Sequence, residues 1–139
     1  MIIWTQKFET GYLPIDLQHR MMIDNINHLE AQLTNSNPTR EECEFLMHLV
    51  DFLQAYANAH FEMEEQCMEC KRCPSQAQNR QAHESYRLIF RNYQARSKNE
   101  GFNPKLIREL HEAASLWVQQ HILKIDIQLR DRPHHEDGD

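Results

Sequence analysis

His60 and Glu64 stand four residues apart in the stretch "HFEME". On a helix turning about 100° per residue, that spacing sets imidazole and carboxylate about 40° apart on one face. The face is the apolar one, because Leu46, Leu49, Leu53 and Tyr56 lead to it in steps of three and four. A charge on such a face needs a partner or a metal. An internal His–Glu hydrogen bond would satisfy the pair as well as a cation would, so the pair alone decides nothing. Three further histidines share the placement. His19 heads the stripe Met22, Ile26, Leu29 and Leu33, His83 lies with Tyr86 and Phe90, and His121 lies with Leu110, Ala114 and Trp117. Any one of them is an ordinary core histidine. Four helices that each turn one inward, one of them with a Glu as well, follow the way a helical bundle builds a metal site. Nitrogen and oxygen donors without thiolate suit iron, manganese or zinc. A zinc site usually closes at four ligands, and a set larger than four points to two metals bridged by carboxylate.

Asn79 poses a separate question. It precedes His83 by four residues in "SQAQNRQAHESYR", about 40° away on the inward face. It is either a ligand position without its imidazole or a polar surface residue. The remaining histidines serve as controls. His28 lies about 180° from His19, His48 about 120° from His60 and His111 about 80° from His121. With His134 and His135 in the tail, they are expected to face solvent. Asp126 follows His121 by five residues, about 140° round the helix, so spacing does not select it.

The elements that position these residues read as helices throughout, with no alternating strand pattern. Residues 1–14, containing Gly11 and Pro14, read as an extended arm. The first helix starts near Ile15 to Leu17 and is broken by "TNSNP". Thr39 with Glu42 forms a capping box for the second, after which "CMECKRCP" ends the helix or forms a loop. Ser75 with Gln78 opens a third helix to about Ser97, before the break "NEGF". Asn103 with Pro104 opens the last, which runs to about Arg130. The expectation is an all-α, up-down-up-down four-helix bundle over residues 15–130, with 131–139 an acidic tail or linker. The whole of residues 1–139 forms one domain.

The formal charge is −6, which argues against nucleic acid as a partner. No run reaches the roughly 20 apolar residues of a membrane-spanning helix, and no basic leader precedes an apolar stretch. A cytoplasmic protein with reduced thiols is expected. The cysteines Cys67, Cys70 and Cys73 are spaced as C-x-x-C-x-x-C, with Cys43 distant. Three thiolates and a His would suit a zinc, and a reversible disulfide is a second option, but unremarkable thiols are the leading reading.

The order of these motifs resembles the bacterial hemerythrins. The resemblance rests on Trp4, "GYLP" at 11–14, "IDLQH" at 15–19, "HFEME" at 60–64 and "WVQQHILKID" at 117–126. It spans roughly residues 4–130 and implies two non-haem irons with a solvent-derived oxo or hydroxo bridge. By position, His19 and His60 would bind one iron and His83 and His121 the other. Glu64 and Asp126 would bridge them, Asp126 on the resemblance alone. The family's third motif is H-x-x-x-H, and Asn79 stands where its first His would be, as a possible weak ligand. The resemblance implies dioxygen or small anions as ligands at the diiron site. It also allows a C-terminal signalling domain as partner, since such domains are often fused to chemoreceptors and diguanylate cyclases. The isolated domain is expected to be an oxygen or redox sensor and not an enzyme, with Asn79 leaving a labile coordination position and fast autoxidation. Oxygen carriage or storage, and a diiron peroxidase or oxidase, are the alternatives.

Overall fold

The computed structural model describes residues 1–35, 37–70, 72–74, 76–101 and 103–124. A 3-10 turn at Gln6–Phe8 precedes four helices: α1 (Leu13–Gln32), α2 (Arg40–Cys70), α3 (Gln76–Glu100) and α4 (Pro104–Lys124). Helices α1 and α3 each pack against α2 and α4, which closes the expected four-helix bundle. No strand occurs among the described residues.

The arm is tied down from α1. Asp16, buried in the first turn, accepts from the Thr10 backbone N–H and hydroxyl, both at 2.8 Å, and from the Gly11 N–H at 3.2 Å. Gly11 has φ +89°, a left-handed conformation that a side chain would strain. One helical turn before the end of α1, Asn27 exchanges two 2.8 Å hydrogen bonds with the backbone of Ile2. Helix α1 starts at Leu13, before the expected boundary. Pro14 enters its first turn because the N–H it lacks would have no helical partner there.

The Thr39 capping box forms as expected. Thr39 Oγ1 accepts from the Glu42 N–H at 3.2 Å, and Glu42 Oε1 accepts from the Thr39 N–H at 3.1 Å. Asn103 Oδ1 accepts from the Lys105 N–H at 3.0 Å ahead of α4. The Ser75 cap and the stretch of α4 from 125 to 130 lie outside the described residues.

Helix α2 differs most from expectation. It continues through Cys67 to Cys70, since nothing in "CMEC" breaks a helix. The Arg72 N–H then bonds Glu69 O at 3.1 Å and the Cys73 N–H bonds Met68 O at 2.8 Å. This is a Schellman closure, with Arg72 at φ 52° in the position usually held by glycine. Cys73 packs on Met68 and Ile15, the apolar contact that accompanies the motif. Helix α3 likewise runs past Ser97 to Glu100 and stops at Gly101, φ +71°.

The core follows the predicted stripes. Ile23, Ile26 and Leu29 meet Leu46, Val50, Leu53 and Ala57, with Phe90, Ile107, Leu110, Ala114 and Val118 across the bundle. Each large side chain buried here contributes roughly 1.5–3 kcal/mol. At the end formed by the start of α1, the end of α2, the start of α3 and the end of α4, the same stripes turn polar.

Candidate metal centre

Glu64 is fully buried at that end and is the hub of the site. Its Oε2 lies 3.2 Å from His19 Nε2 and 3.4 Å from His60 Nε2. Its Oε1 lies 3.0 Å from His83 Nε2, 3.7 Å from His121 Nε2 and 3.1 Å from Asn79 Nδ2. All five neighbours are buried. Each carboxylate oxygen thus serves its own pair of imidazoles. Two groups result, His19–His60–Glu64 and Glu64–His83–His121, each with candidate ligand atoms within 4.8 Å of one another. Every inward residue expected from the described helices, Asn79 included, is at this point. Asp126 lies outside the described residues.

Burial pushes the Glu64 carboxyl up, but the charge of His60 and hydrogen bonds from His121, His19 and His60 outweigh it, so its pKa falls well below the usual carboxylate range. The site therefore holds a carboxylate anion away from water. A carboxylate offers about four lone-pair directions, and five nitrogen atoms converge on this one.

The ring nitrogens facing away from Glu64 are held as well. His60 Nδ1 lies 2.5 Å from Gln18 Oε1, whose amide nitrogen donates to Met63 Sδ at 3.2 Å. His83 Nδ1 lies 2.8 Å from Glu65 Oε2, and Glu65 in turn meets Arg80 Nε at 3.4 Å. Gln18 Oε1 only accepts, so His60 Nδ1 donates, and the same holds for His83 Nδ1 against the Glu65 carboxylate. A neutral imidazole has one N–H. With it spent on Nδ1, Nε2 can donate to the carboxylate only as an imidazolium, and a cation between them would take the place of that second proton. Asn79 adds a second sign of fit. Its Nδ2 donates to Glu64 and to Met68 Sδ at 3.1 Å, while its buried Oδ1 finds no partner among the described residues. An orphaned amide oxygen beside a carboxylate is suited to a cation.

Aromatic rings cover the histidines. Phe61 stacks on His83 with centroids 3.9 Å apart, and Trp117 stacks on His121 at 4.4 Å. A cleft of about 150 Å³ among Ala82, Trp117, Gln120, His121 and Lys124 borders the His121 side.

Over residues 10–129 the chain matches the family described as the hemerythrin HHE cation binding domain. The chain belongs to this hemerythrin family. It is also 26% identical over 122 residues to a bacteriohemerythrin of Stenotrophomonas maltophilia (strain R551-3), covering 88% of this chain and 74% of that protein. Membership makes this a cation-binding domain, and the buried cluster is where its described residues can hold cations.

Gln18 and Glu65 were not among the residues the sequence singled out. Each directly neighbours one that was, His19 and Glu64, but their contacts cross between helices and leave no spacing within one helix. His28 and His48 face solvent as expected. His111 does not fully: it is half-buried, with Nε2 enclosed. Among the described residues, no disulfide involves Cys43, Cys67, Cys70 or Cys73.

Proposed function

We propose that the chain is a non-haem diiron domain that binds dioxygen and reports oxygen or redox state. One observation supports this reading above others: the two oxygens of Glu64 face separate imidazole pairs. On this reading Glu64 would be shared by two irons, one that His19 and His60 would hold and another that His83 and His121 would hold. Asp126 is proposed as the second bridging carboxylate on the family resemblance. When bound, the irons supply two electrons and an open position for dioxygen or a small anion.

The chain's own residues set the conditions. Gln18 and Glu65 fix the Nδ1 protons of His60 and His83, so the opposite lone pairs point inward. Phe61 and Trp117 shield two of the rings from water. Asn79 offers an amide oxygen where the family motif has an imidazole. That oxygen would be the weaker donor to a bound iron, and the reading expects an exchangeable position there and quick oxidation of the reduced domain in air. Fast oxidation suits a sensor better than a store. Thiols outside any disulfide among the described residues fit a cytoplasmic setting, and a linked signalling domain would receive the output.

Metal analysis with optical spectra, taken after anaerobic reduction and again after air exposure, tests the reading. Two irons per chain and rapid oxidation without turnover are expected. One iron or none after reconstitution overturns it. A long-lived, reversible oxygen-dependent spectrum would indicate a carrier, and sustained peroxide consumption an enzyme.

A further inference from the structure

Tyr86 is 1% exposed, and its hydroxyl finds no hydrogen-bond partner among the described residues. A buried hydroxyl left in that state costs about 1–3 kcal/mol, so its retention calls for a function. Its surroundings are apolar. The ring meets Trp117 at 4.7 Å, Phe90 at 5.0 Å and Phe61 edge-on at 5.4 Å. Phe61 and Trp117 are the two rings that stack on His83 and His121. Tyr86 therefore forms the layer directly beneath the metal-site histidines.

The direction of the hydroxyl follows from the helix. A long side chain on an α-helix leans toward the N-terminus, over the turn holding residues i−3 and i−4. For Tyr86 those residues are His83 and Ala82. The phenol consequently leans toward the cluster end of the bundle and away from the Leu53 and Leu110 end. Burial raises its pKa above the ordinary tyrosine value, so the hydroxyl keeps its proton and is a standing donor.

We propose that Tyr86 is a ligand-positioning and specificity residue, its hydroxyl donating a hydrogen bond to a small acceptor-bearing ligand, dioxygen or a small anion, bound at the metal site. This rests on the diiron reading above. The ring wall formed by Phe61, Phe90 and Trp117 selects for small size. The hydroxyl adds selection for a terminal acceptor atom and discriminates against ligands that lack one.

Azide is the probe and Tyr86→Phe the variant, since it removes one oxygen and keeps the ring. Iron is counted first in both proteins. With two irons per chain in each, azide is expected to bind the oxidised variant about tenfold or more weakly, the usual worth of a hydrogen bond to an anion. The azide stretching frequency of the wild-type complex should shift between H₂O and D₂O, and that shift should vanish in the variant. The metal-free variant should be at least as stable as wild type, having lost an orphaned hydroxyl. Unchanged azide affinity at full iron content, or a wild-type azide stretch blind to D₂O, overturns this inference while leaving the diiron reading standing. A metal-free variant that is less stable, with unchanged azide binding, assigns the hydroxyl a structural partner and overturns it too. Failure of both proteins to take up two irons overturns the two readings together.

Discussion

On the proposed reading, Asn79 is the residue on which the behaviour of the site would turn. Its side chain is fully buried, its amide nitrogen is engaged and its oxygen meets no partner among the described residues. Replacing it with the imidazole of the family motif should fill the labile position. Asn79→His is expected to slow air oxidation of the reduced, iron-loaded domain at least severalfold, followed by stopped-flow absorbance. An equal or faster rate would contradict the role given to Asn79. The outer hydrogen bonds make a second prediction. Glu65→Gln and Gln18→Ala each weaken the hold on an Nδ1 proton, and such changes typically cost about 10–100-fold in metal affinity. Competition with a chelator would show this, and unchanged affinity in both variants would remove their assigned part. The inward histidines and Glu64 were legible because a 3.6-residue period marks which face of each helix is buried, and these residues continue apolar stripes. Gln18 and Glu65 were not, because partners 42 and 18 residues apart meet only after the helices pack. Asp126 illustrates the other limit: about 140° from His121, it carries no signal of burial, and it remains an expectation from resemblance.

At the scale of elements, helix starts were more legible than helix ends. Thr39, Glu42 and Asn103 each bond a partner within three residues, so their chemistry can be read locally. The end of α2 could not be read this way. A charged residue takes the left-handed position of a Schellman closure there, and no glycine advertises it. Arg72 at φ 52° bears strain of roughly 1–2 kcal/mol for a side-chain-bearing residue in that region. The extra freedom of an unfolded glycine returns part of this. Arg72→Gly should therefore stabilise the protein by up to about 1 kcal/mol in chemical denaturation, and a clear loss would mean that the arginine side chain contributes more than its strain costs. The contact of α1 with α4 carries a pH dependence. Burial lowers the pKa of His111, Glu30 of α1 and Glu112 of its own helix raise it, the N-terminal ammonium of the arm lowers it, and a backbone hydrogen bond at Ile26 raises it, with a net fall. Arg108 lines the same cleft. The folded chain thus prefers neutral His111. Its contribution is fully present above the ordinary histidine value near 6.5 and is lost as pH falls through that value toward the folded one. Between pH 7.5 and 5.5, His111→Gln should lose less thermal stability than wild type. The metal site is common to both proteins and drops out of the comparison, so equal losses would remove His111 from the account.

The molecule as a whole divides along its long axis. One end is a close-packed apolar core around Leu53, Phe90, Ile107 and Leu110. Among the described residues, the other gathers the Glu64 carboxylate and four imidazoles from four helices. Without a cation, Glu64 is asked to accept from more donors than it has lone pairs, and the Asn79 oxygen has no partner among the described residues. Each helix brings at least one buried polar residue to this end, and the apolar cluster of Ile15, Met68 and Cys73 beside them carries no charge that could stand in for a cation. With the proposed ligand set, metal binding and folding would be linked through all four helices at once. At a free metal concentration about a hundredfold above the dissociation constant, linkage adds about 2.7 kcal/mol. For a chain of this size that corresponds to roughly 10 °C in melting temperature. The gain should also be uneven in space. In the metal-free protein, backbone amides near His19, Glu64, Asn79 and His121 should exchange with solvent through local opening, faster than those near Leu53 and Phe90. Metal should suppress exchange most at the four-histidine end, because only there does it supply the missing partner. Hydrogen exchange with and without iron reads this directly. A protection pattern that is the same in both states would mean that the imidazoles are held by the bundle alone, and that Glu64 is a structural hub independent of any metal.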